Sequence, residues 1–208
     1  MRLYTYFRSS AAYRVRIALN LKSVPYEPVP VNLLKGEQRE EAYGAVNPQM
    51  RLPALDIGGT VLTQSPAILE YLDEVYPEPP LLPGDAVSRA KVRAIASIVG
   101  CDIHPLNNLG PLKYLKGKLG HEQATIDAWY AHWICEGFDA IEALIETGPF
   151  CFGSQVTLAD IYLVPQVFNA RRFNVSLAAF PKIVAVDAAC AELRAFQDAA
   201  PERQPDAV

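Results

Sequence analysis

A chain of 208 residues, half of them hydrophobic and a fifth charged, is long enough for one or two packed domains and too apolar to be disordered. Its net charge of −4, from 19 basic and 23 acidic residues with no basic run, argues against nucleic acid or a membrane surface as a partner. No apolar run approaches the roughly 20 residues of a membrane span, and residues 1–3 lead straight into a strand pattern without a signal-peptide core, which points to the cytoplasm.

The elements follow in order. Residues 3–7 form a short apolar strand, and Arg8-Ser9-Ser10 is a polar turn. A helix then runs over residues 10–22, with Val15, Ala18, Leu19 and Leu21 at helical spacing and Ser9 or Ser10 as its N-cap. Such a strand–turn–helix offers hydroxyls and unpaired N–H groups at the positive end of a helix dipole, which is an anion site. Residues 26–31 read as an edge strand, because Pro28 and Pro30 interrupt them. Residues 35–43 are polar, a solvated helix or loop. Pro53 precedes a short strand, Gly58-Gly59 turns the chain, and residues 61–63 return as a hairpin partner. Gln64-Ser65-Pro66 opens the next helix, with serine at the cap and proline at the first helical position.

Four prolines between positions 77 and 83 then mark a linker. Beyond it the pattern is helical: residues 86–100, residues 106–120 with a break at Gly110-Pro111, residues 122–147, a helix opened by Thr157-Leu158-Ala159-Asp160, one from Pro181, and one over 189–199. Residues 201–208 are expected to be loose. The order βαβ–α–ββα resembles a thioredoxin-like domain. The expected fold is therefore an α/β thioredoxin-like domain over residues 1–80 and an all-α domain over residues 87–208. Cys101, Cys135, Cys151 and Cys190 lack CxxC spacing and read as buried free thiols; no metal site is expected.

Phe7-Arg8-Ser9-Ser10 followed by Tyr13-Arg14-Val15-Arg16-Ile17-Ala18-Leu19 resembles the N-terminal signature of zeta-class glutathione transferases. That family includes maleylacetoacetate isomerases and glutathione-dependent maleylpyruvate isomerases. Its pattern usually has a cysteine after the two serines, where this chain has Ala11. The resemblance covers nearly the whole chain and implies the glutathione transferase fold, glutathione as cofactor, and a homodimer. It also implies cis–trans isomerisation of a small dicarboxylic keto acid in aromatic-compound catabolism. A thiolate adds to the conjugated cis double bond, and the bond rotates before the thiolate leaves.

The same resemblance implies the site residues. Ser9 is expected to donate to the thiolate while Ser10 caps the helix. Leu52, before a cis-Pro53, offers its backbone to the extended tripeptide at a sheet edge. Gln64 and Ser65 hold the γ-glutamyl end, and Gln49 reaches the glycyl carboxylate or the backbone. Residues 101–109 resemble a cleft-facing segment, which makes His104 a candidate cofactor contact and Asn108 a candidate amide donor to glutathione or substrate. Gly110-Pro111 departs from the Arg-Val of many members, so one possible substrate contact is missing. Arg172 matches the family pattern as a substrate-carboxylate ligand. Arg8, directly before the thiolate-stabilising serine, is expected to take the other carboxylate and to stabilise charge that develops in the transition state. Thr157 and Asp160 are assigned to folding alone. Two other readings use the same fold: a transferase that conjugates or dehalogenates small electrophiles, and a non-catalytic glutathione-fold binding protein.

Overall fold

A computed structural model describes residues 1–207. They divide into two compact units, Met1–Leu81 joined by the segment from Ala191 onward, and Leu82–Cys190.

The first unit is built on a four-stranded sheet of order β2-β1-β3-β4. β1 (Arg2–Thr5) is parallel to β2 (Glu27–Pro30), because α1 (Ser10–Leu21) crosses over between them. β1 is antiparallel to β3 (Ala54–Asp56), which pairs antiparallel with β4 (Val61–Thr63). β2 lies at an edge, where the prolines cost no ladder bond toward a further strand. Gly58 and Gly59 adopt φ of 89° and 100°, which L residues rarely adopt, and both donate to Asp56 Oδ1. A 3-10 turn (Glu37–Arg39) and α2 (Glu41–Val46) occupy the polar region before β3, and α3 (Ser65–Val75) follows β4. Leu3, Ile17, Leu19, Leu55, Ile68, Leu69 and Leu72 are fully buried and form the core between the sheet and α1 and α3.

Two expectations about the C-terminal part are corrected. The helical unit stops at Cys190 rather than continuing to residue 208, and residues 201–207 are tied down rather than loose. α10 (Arg194–Ala199) packs on α1, and a 3-10 turn follows at Pro201–Arg203. Asn20 Nδ2 donates to Ala195 O at 3.0 Å, Arg16 Nε to Ala199 O at 3.0 Å, and the Phe7 N–H to Asp206 Oδ2 at 3.0 Å. Arg16 is fully buried on α1 and requires acceptors around its guanidinium, and Ala199 O is one of them.

The second unit comprises α4 (Ala86–Ser97), α5 (His104–Asn107), α6 (Leu109–Gly117), α7 (Gln123–Leu144), α8 (Leu158–Arg172) and α9 (Pro181–Ala191). α8 is buried around nearly its whole circumference, as expected of a helix at the centre of its unit. Thr157 and Asp160 open it with the expected capping box, and Asp160 Oδ1 also accepts the Cys151 N–H at 2.8 Å.

Three boundaries differ from expectation. The helix expected to stop near residue 100 passes through a π-helical segment, Ile98–Ile103, into α5. Gly137 on α7 makes room for that segment, since a Cβ there would lie 2.3 Å from Ile103 Cδ1. The break expected at Gly110-Pro111 falls instead at Asn108, which is extended and whose side chain accepts the Leu109 N–H. Gly110-Pro111 then sit in the first turn of α6, where proline loses no helical bond. The helix expected over 189–199 is two helices, broken where Leu193 is extended. Among the cysteines, Cys151 and Cys190 are buried, but Cys135 is half-buried and Cys101 exposed. No helix among the described residues is long and apolar enough to cross a membrane.

Candidate active site

The pairing register places three chain-distant segments at one end of one sheet. Tyr4 pairs with Ala54 and Ala54 with Thr63, so these residues form one row across the three strands. Beyond that row, β1 continues into Tyr6-Phe7-Arg8-Ser9, β3 is preceded by Leu52-Pro53, and β4 continues into Gln64-Ser65. The Leu52–Pro53 bond is cis, as expected. Leu52 is not on a sheet edge: β3 lies between β1 and β4, and Leu52 stands past the last registered pair of its strand.

At the first segment the roles of the two serines change. Ser9, not Ser10, is the N-cap of α1: its backbone is extended, and Oγ accepts the Ala12 N–H at 3.3 Å. Ser10 is the first helical residue and is buried. The turn is closed by the Ser9 N–H, which donates to Tyr6 O at 2.9 Å. Arg8 is half-buried, with its guanidinium carbon 4.7 Å above the Phe7 ring centroid. No acidic residue lies in the first turn of α1, so the positive end of its dipole is uncompensated by its own helix.

At the third segment the cap is Gln64, and Ser65 is the first residue of α3, with Pro66 in its first turn. Gln64 has φ 69° and ψ 118°, strained for a residue with a Cβ, and its side chain does not close the helix end. Its Nε2 instead donates to Gln49 Oε1 at 2.5 Å, which joins two of the expected cofactor ligands. Ser65 is buried, and Arg14 Nη1 donates to its Oγ at 3.4 Å. No acid lies in the first turn of α3 either.

The middle segment is held by residues that sequence reasoning passed over. Asn47 is buried; its Nδ2 donates to Arg51 O at 2.7 Å and its Oδ1 accepts the Gln49 N–H at 3.0 Å. Tyr43 Oη donates to the same Arg51 oxygen at 2.7 Å. Both therefore shape the approach to Leu52. The buried arginines on α1 were also missed; two cations inside an apolar helical run are the signal that could have found them.

The remaining candidates belong to the second unit. His104 opens α5, Asn108 caps α6, and Arg172 ends α8. Of the two adjacent arginines, Arg171 is paired with Asp187 at 2.5 Å. Burial raises the Asp187 carboxyl above the usual range, and Arg171 opposes that shift. Arg172 is exposed, with its guanidinium carbon 4.9 Å over the Phe173 ring, which in turn lies 4.0 Å from the Tyr130 ring. Among the described residues, no group of three or more His, Cys, Asp or Glu is placed to hold a metal ion.

Residues 1–74 match the glutathione S-transferase N-terminal domain and residues 127–201 the C-terminal domain. A maleylpyruvate isomerase from Ralstonia sp is 56% identical, across 99% of this chain and 99% of that protein. The chain belongs to the zeta-class glutathione transferases, the family of the maleylpyruvate and maleylacetoacetate isomerases. A maleylacetoacetate isomerase from Pseudomonas aeruginosa is 50% identical, across 99% of this chain and 98% of that one. The structure described as holo maleylpyruvate isomerase, a bacterial glutathione transferase in the zeta class, superposes with a TM-score of 0.98 at 56% identity, covering 100% of both chains. A maleylacetoacetate isomerase from Anaeromyxobacter dehalogenans with bound glutathione superposes with a TM-score of 0.90 at 45% identity, covering 100% of this chain and 97% of the other. The zeta-class fold thus sets Ser9, Leu52 and Ser65 at one end of the sheet, whatever their separation in sequence.

Proposed function

We propose that this chain is a glutathione-dependent cis–trans isomerase of a maleyl keto acid, maleylpyruvate or maleylacetoacetate, acting in aromatic-compound catabolism. The observation that carries this is the sheet end where two acid-free helix N-termini, α1 and α3, stand beside the Leu52-Pro53 backbone. That donor set fits glutathione: one helix end suits a thiolate, the other suits an α-carboxylate, and the backbone between them suits an extended peptide. Gln64, Ser65 and Gln49 would hold the γ-glutamyl and glycyl ends, and Leu52 the central backbone. His104 and Asn108, in the second unit, are further proposed cofactor contacts. When bound, glutathione supplies the thiolate that adds to the cis double bond and departs after rotation.

The chain's own residues do the rest. Capping uses an acceptor lone pair of Ser9, so its hydroxyl proton can point at the sulfur. A helix N-terminus contributes up to about 2 kcal/mol, roughly 1.5 pKa units at about 1.4 kcal/mol each. A hydroxyl donating to a charged acceptor adds about 1.5–3 kcal/mol. The helix end alone brings a thiol from about 8.5 no lower than neutrality, and the two together bring it clearly below. Ser10, buried in the first turn of α1, supports that helix end. Arg8 and Arg172 each take a substrate carboxylate through a planar fork. Of the two adjacent arginines, Arg172 is the one that matches the family pattern, and Arg171 pairs with Asp187.

We also place the enzyme in the cytoplasm, supported by four free thiols, and as a homodimer, supported by its family. The decisive experiment assays both maleyl acids with and without glutathione. Isomerisation with no net loss of glutathione is expected. Net consumption of glutathione or halide release makes it a transferase, and binding without turnover makes it a carrier.

A further inference from the structure

The turn that presents Arg8 and Ser9 is gripped at Phe7 from both sides by groups outside it. Arg16 Nη2 donates to Phe7 O at 3.0 Å, and Asp206 Oδ2 accepts from Phe7 N at 3.0 Å. Arg16 also donates through Nη1 to Thr5 Oγ1 at 3.1 Å and Tyr6 O at 3.4 Å, and through Nε to Ala199 O at 3.0 Å. One buried guanidinium therefore spans the end of β1, the turn, and the end of α10. Burial pulls Arg16 down to about 10, which leaves it protonated at neutral pH, and the Asp206 charge works against that shift.

We propose that Asp206, with Arg16, is a positioning residue for catalysis: the segment following α10 sets the peptide plane before Arg8 and thereby aims the Ser9 hydroxyl. The reach of the effect follows from geometry. Phe7 is two residues before Ser9, and the Ser9 N–H is itself bonded to Tyr6 O, so both peptide planes leading into the cap are held. A hydroxyl that must cap α1 and also point at a sulfur tolerates little rotation of its own backbone. Without the carboxylate, Phe7 N loses its acceptor, and of the two groups that grip the turn from outside only Arg16 remains. The substrate groups touch neither Asp206 nor Arg16 in this scheme; both act through the turn.

This inference rests on Ser9 as the thiolate donor, and the test separates the two. Asp206→Ala, Asp206→Asn and Ser9→Ala are compared by the ultraviolet absorbance of bound glutathione thiolate against pH, by kcat and KM for maleylpyruvate, and by amide hydrogen exchange of a peptide covering residues 5–12. Asp206→Ala should raise the pKa of the bound thiol by about half a unit to one unit. It should also lower kcat roughly 5–20-fold with KM changed less than about threefold, and speed exchange at the turn. Asparagine retains an oxygen acceptor and should restore most of kcat. Circular dichroism and melting report whether each variant is folded, and the hydrogen-exchange readout is specific to the turn. If Ser9→Ala shifts the thiol and Asp206→Ala shifts neither the thiol nor kcat, the inference fails while the isomerase reading stands. A shift with Asp206→Ala but none with Ser9→Ala overturns Ser9 as donor and this inference with it. A loss in Asp206→Asn equal to that in Asp206→Ala would also overturn it, because the oxygen acceptor would not be what matters.

Discussion

Ser9 carries two duties at one atom: it accepts the Ala12 N–H as helix cap, and it is the proposed donor to the thiolate. Glycine is nearly as good a cap as serine, whereas alanine costs about 0.5–2 kcal/mol. Ser9→Gly should therefore melt close to wild type, yet raise the pKa of bound glutathione by about one to two units. Ser9→Ala should lose both; equal melting of the two variants would remove the cap from the account. Arg171 gives a second separation. Its partner Asp187 is buried and has its carboxyl raised by that burial, with Arg171 opposing. In Arg171→Ala the folded-state value climbs further above the unfolded value of about 3.9. Below that value both states are protonated and nothing is lost. As pH rises above it, the unfolded carboxyl ionises first, so stability falls with increasing pH. The melting deficit of Arg171→Ala should be small near pH 4 and larger at pH 7, as thermal melts across that range would show.

Among the elements, the loop after α2 and the start of α8 use the same device for different ends. Asn47 ties Arg51 O and Gln49 N into one shape, with Met50 held at φ 54° between them. Asp160 takes the N–H groups of Thr157 and Cys151 and the Thr157 hydroxyl. Asn47→Ala should cost about 1–3 kcal/mol, the sum of two ordinary hydrogen bonds, and should also weaken glutathione binding, because Gln49 and Leu52 lose their support. Asp160→Ala leaves buried donors without a charged acceptor and should cost roughly 2–4 kcal/mol while glutathione affinity of the folded protein stays the same. Calorimetric titration beside thermal melting distinguishes them. Unchanged affinity in Asn47→Ala would take the loop out of the cofactor site.

At the scale of the molecule, the two proposed substrate ligands have different roles, so their variants should fail differently. Arg8 adjoins the serine proposed to stabilise the thiolate, and Arg8→Ala should lower kcat/KM by about 2–4 kcal/mol in transition-state terms, the size of losing one oxyanion donor. Arg172→Ala should act mainly on KM. Steady-state rates with both maleyl acids test this, and wild-type kinetics in both variants would shift the reading to a transferase. Sedimentation at micromolar concentration should show a species of twice the 22.9 kDa chain mass; a 22.9 kDa species would refute the homodimer.

What the sequence by itself determined were the features whose partners lie within a few residues: the strand–turn–helix at Ser9, the Gly58-Gly59 hairpin, the opening of α3 at Gln64-Ser65-Pro66, and the capping box at Thr157 and Asp160. Propensity and capping are local physics, so adjacent residues announce them. The family signature added the roles of those residues, which spacing alone left open. Only the tertiary structure decided which serine caps α1, that the helix from residue 86 continues through a π segment, that Arg171 pairs with Asp187, and that residues 191–207 belong with the sheet. A buried charge such as Arg16 declares that it needs acceptors, but not where in the chain they lie. Its bond to Ala199 spans 183 positions and that of Phe7 to Asp206 spans 199, distances across which no local pattern carries information.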